Sequence, residues 1–599
     1  MKSKKWLISL GLAVVLVVAF ALPSCTGEPT EWLHSPYTGE KIELTLTVPT
    51  IPTDYVSMAQ MIVQDLRGFG IDASYTTMDH STYVEKIYDP WEGGLEMFIY
   101  GLDPCYDPIS DWIWSSLSDP YDWGYYWNGT YWYNATYDEL AWQIFFAANS
   151  SEKTAILNEM QAIINDELPK YMLVRPDYIA AWRTDRWTNW HNDIGGVNLW
   201  SNFWSILDAE AVDGATRMDM AFPADMPNLY MDMDVLDQTT LGCTYKNLVY
   251  ECLGICTKIE EGAVEDAYLF EPRLAVDYSI STENRTHPVY NTTWEDAQVW
   301  TLELREGVKW HDGENFTAYD VEFTANNVWS PWTPSMPVTW EAYGDSWDED
   351  DLVWWVEVVN DHTIEFIYEN PINPDHVPSW WLWNCAAPKH IFGPAGNGTY
   401  EGWNVEPNDW DGNSIGTGPF KYVEHDEDNY HHWTRNDDWW GDPLDVKDLY
   451  CHIIPTTAAT VMALQKGEID TFTEFPLPPA FIDELEKDED ITVDIVPGIT
   501  IVYMAFNLYS DGYRDDEGGG PYLEPEANPL QDVVLRQAIA YAIDVEAMIE
   551  LVYEGKGEMM NNFVYPESPN HNPALEMYEA DTTTARNMLL AANYTFELD

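Results

Sequence analysis

The segment "HDEDNYHH" (425–432) places His425, His431 and His432 among three acidic side chains. Imidazoles and carboxylates both ligate zinc. A helical zinc site of the H-E-x-x-H kind, however, needs two histidines one turn apart, and this spacing differs. The three histidines are therefore expected on a surface loop. Cys252 and Cys256 stand four apart, but no second pair at suitable spacing completes a zinc set. The run "DEDD" (348–351) offers carboxylates without the ligand spacing and glycine of an EF-hand loop. A glycoside hydrolase would need two carboxylates held roughly 5–10 Å apart across a sugar cleft. With 102 acidic residues any such pair can be imagined, so their abundance is not evidence. The residues single out no catalytic group, and no cofactor or metal is expected. A secreted glycoside hydrolase stays open as an alternative from another class.

Such a chain must build several cores to position anything. Its 599 residues exceed one ordinary core, and two to four lobes are expected. A hydrophobic content of 46% with 31 Trp and 37 Tyr is ample for packed interiors and also suits a cleft that stacks on ligands. The formal net charge of -74 repels phosphate backbones, which argues against nucleic-acid binding. At the N-terminus, Lys2, Lys4 and Lys5 precede the apolar run "WLISLGLAVVLVVAFALP", the pattern of a secretory signal. "LPSC" resembles a lipobox, so residues 1–25 are expected to be a signal peptide with lipobox in which Cys25 is acylated, becomes the new N-terminus and tethers the rest outside the cell. Six further cysteines allow up to three disulfides in an oxidising compartment, with the pairing left open.

Periodicity supplies the elements. "IELTLTV" (42–48) alternates as a strand, residues 54–70 carry apolar groups at helical spacing, and "IDASYTTM" is again a strand, giving a strand–helix–strand unit. Helices are expected over 152–168, 459–470, 532–555 and 582–592, the last capped by Asp581. "VWTLEL" and "HTIEFIY" read as strands. Residues 207–216 read as a linker, after which "RMDMAF" begins a new unit.

The run "VWTLELREGVKWHDGENFTAYDV" (299–321) resembles the signature of the extracellular solute-binding proteins of family 5, the dipeptide- and oligopeptide-binding receptors of ABC importers. "LVYECL" (248–253) is similar to the family's early helix, and "GTGPFKYVEH" with "TRNDDWWGDP" to its G-T-G-P segment. "ALQKGEID", "DVVLRQAIAYAID" and "TTTARNMLLAANY" match later family segments in order. The family's next segments resemble residues 42–79 of this chain, followed by "GLDPCYDP" (101–108) and "INDELPKYMLV" (164–174). The order therefore resembles a circular permutant cut inside its third lobe. A fragment of a tandem gene is the rival reading.

The resemblance implies an α/β fold of the type II periplasmic-binding class, two lobes plus a third, with a ligand cleft between lobes. Lobe I would comprise 191–255 and 396–500, lobe II 256–395, and lobe III 501–599 with 26–190. It implies a receptor rather than an enzyme, one that closes over a short peptide, or alternatively an oligosaccharide, and presents it to a membrane permease. A monomer is expected, held to the outer face of the membrane through Cys25. In peptide-binding relatives a carboxylate in a W-x-x-D loop meets the ligand's ammonium. "YGLD" aligns there, giving Asp103 as that carboxylate and Tyr100 as an aromatic wall, although Tyr replaces Trp. Trp112, Trp114, Trp383 and Asn507 are further cleft candidates, each also readable as a core residue.

Overall fold

The computed structural model describes residues 31–88, 95–102, 129–191, 202–223, 225, 246–256, 270–287, 291–327, 354–369, 371–373, 385–393, 414–472, 477, 481–508, 528–568 and 570–598. The described strands begin with β1 (Trp32–His34), β2 (Glu43–Pro49), β3 (Asp72–Met78), β4 (Met97–Leu102), β5 (Lys170–Arg183), β6 (Trp187–Thr188) and β7 (Glu210–Ala211). β8 (Arg217–Phe222), β9 (Gly254–Cys256), β10 (Phe270–Pro272), β11 (Ala275–Thr286), β12 (Thr293–Leu304), β13 (Trp354–Asn360) and β14 (Thr363–Tyr368) follow. The remainder are β15 (Phe420–Asp426), β16 (Tyr430–Arg435), β17 (Asp448–Ile453), β18 (Thr471–Phe472), β19 (Ile491–Pro497), β20 (Ile501–Phe506), β21 (Gly557–Met559) and β22 (Thr595–Glu597).

Most of these form one twelve-stranded sheet ordered β15-β16-β17-β8-β18-β5-β20-β4-β2-β3, with β19 and β21 also on β5. β5 is shared by two regions. Its first half pairs with β20, where Val502 faces Val174, and its second half pairs with β19, where Thr492 faces Trp182. Pro176, which cannot donate a ladder hydrogen bond, lies between the halves.

At one end of the sheet, β2 and β3 run parallel and are joined by the helix Thr53–Phe69. Met58, Ala59, Ile62 and Leu66 of that helix are buried, the spacing of one helical face. Gly70 ends it at φ 112°, a left-handed conformation that glycine adopts without a Cβ penalty, and its N–H donates to Leu66 and Arg67 carbonyls. The helix Thr582–Ala591 buries Ala585 and Leu589, and the Asp581 carboxylate accepts from the Thr583 and Thr584 N–H groups, as its sequence predicts. One continuous core joins these parts. It runs from Leu33 through Val174 and resumes from Ile499 to Tyr594. β1 pairs antiparallel with β22, with Leu33 opposite Phe596, and the Phe596 ring packs edge-on against Phe69 at 5.7 Å.

A second core gathers Trp187, Phe203, Met220, Leu248, Cys252, Cys385, Phe420, Trp433 and Cys451. A third lies under the four-stranded antiparallel sheet β11-β12-β14-β13, with Trp300, Leu302, Trp310, Val321 and Phe366 at its centre. "VWTLEL" and "HTIEFIY" are there as β12 and β14, in register at Val299 and Ile367. Residues 207–216 contain a turn with Asp213 and Gly214 both at positive φ, held to the β6 region by the Val212 N–H on the Arg186 carbonyl.

Three expectations need correction. The helix over 532–555 is two helices, Val533–Ala542 and Val545–Val552, because the chain is extended at Ile543 and Asp544 caps the second through the Ala547 N–H. The helix at 459–470 ends at Gln465, where Gly467 turns at φ 69°. "LVYECL" is helical only over Leu248–Tyr250. A five-residue π-helical turn, Lys246–Tyr250, gives way to Glu251 at φ 57°.

Candidate ligand-binding site and interlobe junction

β4 leads towards the expected ligand carboxylate. Tyr100 is half-buried on it, 6.4 Å from Tyr83 and 6.4 Å edge-on from Tyr503, its cross-strand partner on β20. The Tyr503 ring in turn carries the Lys170 ammonium at 5.0 Å, within cation–π range. Gly101 is demanded by packing, since a Cβ there would meet the Tyr55 hydroxyl at 2.7 Å and Thr500 Cγ2 at 2.9 Å. Asp103, Trp112, Trp114, Trp383 and Cys25 lie outside the described residues.

Asn507 is not beside Tyr100's exit from the sheet. β20 runs antiparallel to β4, with Ile501 opposite Leu102 and Phe506 opposite Met97. Asn507 therefore sits at the Glu96 end, where its N–H donates to the Glu96 carbonyl at 2.9 Å and its own carbonyl accepts from Asn528 at 2.9 Å. Glu96 and Leu102 are six steps apart along the strand, about 20 Å at about 3.4 Å each. Asn507 is 8% exposed, and its backbone contacts fit a core role.

A second constellation lies where the second and third cores meet. Glu251 is buried and accepts three hydrogen bonds: from Arg273 at 2.8 Å, Trp440 Nε1 at 2.8 Å and Trp439 Nε1 at 3.2 Å. The Arg273 guanidinium also stacks over Phe203 at 4.9 Å and Trp440 at 4.8 Å, while Arg305 covers Trp440 at 3.8 Å. Burial pushes the Glu251 carboxyl above its ordinary range, against the pull of Arg273. The next residue, Cys252, is bridged through its backbone to Cys385, and their sulfurs lie 2.9 Å apart. Cys252 and Cys385 pack in the second core while their neighbours Leu253 and Ala386 pack in the third, so two chain segments cross the boundary side by side.

The G-T-G-P segment lies against the same place. A Cβ at Gly416 would fall 1.8 Å from the Val249 carbonyl oxygen, and one at Gly418 would fall 2.3 Å from that of Leu248. His311, from the "KWHDG" turn, closes the contact. Its N–H donates to the Gly416 carbonyl at 2.9 Å, and its Nε2 lies 3.0 Å from the Gly418 oxygen. Burial pushes the His311 imidazole down to about 4. Glu251, Arg273 and His311 did not stand out in sequence as site residues. An acid within the apolar run "LVYECL" and a base in "EPRLA" were the available signals.

The histidines of "HDEDNYHH" are not loop residues. β15 and β16 form a hairpin in which His425 faces His431, and the apolar alternation of β16 turns His431 and Trp433 into the core. His431 is 0% exposed. Its Nε2 lies 2.6 Å from Asp225 Oδ1, and His425 Nε2 lies 3.2 Å from Asp225 Oδ2. Burial alone would raise the Asp225 carboxyl, but bonds from His431, the Asp428 N–H and His425 hold it well below the usual carboxylate range.

Residues 270–598, more than half of the chain, match the family described as bacterial extracellular solute-binding proteins, family 5 Middle. The chain belongs to that family. That family is one of extracellular solute-binding proteins, and the described residues build the mixed α/β fold around a large sheet that the resemblance implies. Among relatives, it is 27% identical over 308 residues to the dipeptide-binding protein of Escherichia coli K12, covering 50% of this chain and 52% of that protein. It is 27% identical over 328 residues to heme-binding protein A of Haemophilus influenzae, covering 52% and 55%. The solved structure of the Helicobacter pylori periplasmic binding protein DppA with the peptide STSA overlaps at a TM-score of 0.43 and 21% identity, over 63% of this chain and 66% of that one. The chain thus spans about half the length of the curated relatives it matches. Among the described residues, no helix is long and apolar enough to cross a membrane.

Proposed function

We propose that this family 5 protein is the extracytoplasmic receptor of an ABC importer, that it captures short peptides by closure of its lobes, and that it delivers them to a membrane permease. The match over residues 270–598 carries this reading. A peptide's ammonium is costly to bury unless a carboxylate meets it. Asp103, which follows β4 directly, would supply that carboxylate, with Tyr100 as the adjoining aromatic wall. No bond is made or broken. Binding energy shifts an open–closed equilibrium instead, and a permease reads the closed state. Lobes I and II would move about the Glu251–Arg273 junction, and Cys25 would carry the lipid tether.

The proposal includes a permuted segment order, in which residues 26–190 complete the lobe begun at 501–599. What supports it is the single core from Leu33 to Tyr594 and the β1–β22 pairing.

Thermal unfolding of the purified protein with separate pools of dipeptides, oligosaccharides and heme tests the ligand class. A peptide at about 100 times its dissociation constant should add about 2.7 kcal/mol of stability. Asp103→Ala should weaken peptide binding by at least about 30-fold, the low end for leaving a buried charge unpaired. A shift with sugars or heme alone would refute the peptide reading.

A further inference from the structure

We propose that Asp225, His425 and His431 form a site for one zinc-like divalent cation, independent of the peptide reading. One ligand atom from each residue lies within 4.8 Å of the others. The donors come from three places: Asp225 just after β8, His425 on β15 and His431 on β16. Both Nε2 atoms converge on one carboxylate, at 2.6 and 3.2 Å. Around tetrahedral zinc, with bonds of about 2.0–2.2 Å, donor atoms stand about 3.4 Å apart, so modest side-chain shifts admit the ion. Two imidazoles and one carboxylate suit zinc and its neighbours rather than magnesium or calcium, which take oxygen ligands. Three protein donors leave a fourth position for water or another group.

The surroundings hold the donors in place. The Asp428 N–H donates to Asp225 Oδ2 at 2.8 Å. The His431 ring lies between His425, stacked at 4.4 Å, and Trp433, stacked at 5.5 Å. Outer contacts of this kind fix ligand orientation. β15 is the terminal strand of the twelve-stranded sheet, so the cation would fasten that edge hairpin to the segment leaving β8.

The test is zinc alone, added to the purified full chain in excess magnesium, which occupies surface carboxylates. One zinc per chain should remain after dialysis, and its X-ray absorption spectrum should show imidazole scattering. His425→Ala, at a partly exposed position, and Asp225→Asn should each lower zinc affinity by more than about 100-fold, beyond the usual loss from an outer-contact change. His432→Ala, whose imidazole meets Asp448 instead, should leave it unchanged. Folding of each variant is checked by its zinc-free circular dichroism. Absence of retained zinc, retention undiminished in His425→Ala, or an all-oxygen first shell would overturn the assignment.

Discussion

His311 shows how one partly buried side chain couples the signature turn to the G-T-G-P segment. Its imidazole is held near pKa 4 by burial, whereas an unfolded histidine titrates near 6.5. Between those values the unfolded chain binds a proton that the folded chain refuses, so stability is complete above pH 6.5 and falls as pH drops towards 4. The loss between pH 7 and pH 5 should be about 2 kcal/mol. Urea denaturation of the wild type and His311→Gln at both pH values checks this, because the other titratable groups contribute equally to both proteins. An identical pH slope in the two would remove His311 from the account. Glu251 is a different case. Its charge is matched by Arg273 and two indole N–H groups, and replacing it by alanine strands a guanidinium that is almost fully buried. A cost of about 3–5 kcal/mol is expected in the same denaturation assay.

At the scale of elements, the two segments that pass between cores are paired at Cys252 and Cys385. In an oxidising medium with a disulfide-exchange reagent, the two thiols should lose two protons and two electrons and join as a disulfide. Peptide mapping after alkylation should find 252 linked to 385, and reduction should cost about 2–4 kcal/mol of stability. Both residues alkylating fully in the denatured, unreduced protein would count against the link. Element identity was largely legible beforehand. The helix Thr53–Phe69, its glycine stop and the Asp581 cap follow from periodicity and local hydrogen bonding. The break at Ile543 was not read, because the apolar stripe continues across it while Asp544 competes locally for helix N–H groups.

For the whole molecule, residues far apart in sequence share one sheet and one core. β4 and β20 are adjacent strands, although about 400 residues separate them in the chain. A cysteine pair at His34 and Thr595, which face each other across β1 and β22, should form an intrachain disulfide and give a faster-migrating monomer on non-reducing gels. Crosslinks only between chains would favour the tandem-fragment reading over permutation. The core between these termini buries Leu33, Leu66, Leu589 and Tyr594, so the pairing rests on side-chain packing as well as on three rungs of ladder.

The sequence by itself determined the family, through the dense run from Trp300 to Val321 and the ordered later motifs. It also determined most helices and strands, because 3.6- and 2-residue periodicities and capping residues act over a few positions. It did not disclose the Glu251–Arg273–Trp440 cluster, the Cys252–Cys385 contact or the convergence of Asp225 on His425 and His431. Those depend on partners 22 to 206 residues apart, which local patterns cannot pair. Only the tertiary structure, by laying β15 against β16 and bringing in the segment after β8, decided that His425 and His431 of an apparent surface loop meet on one carboxylate.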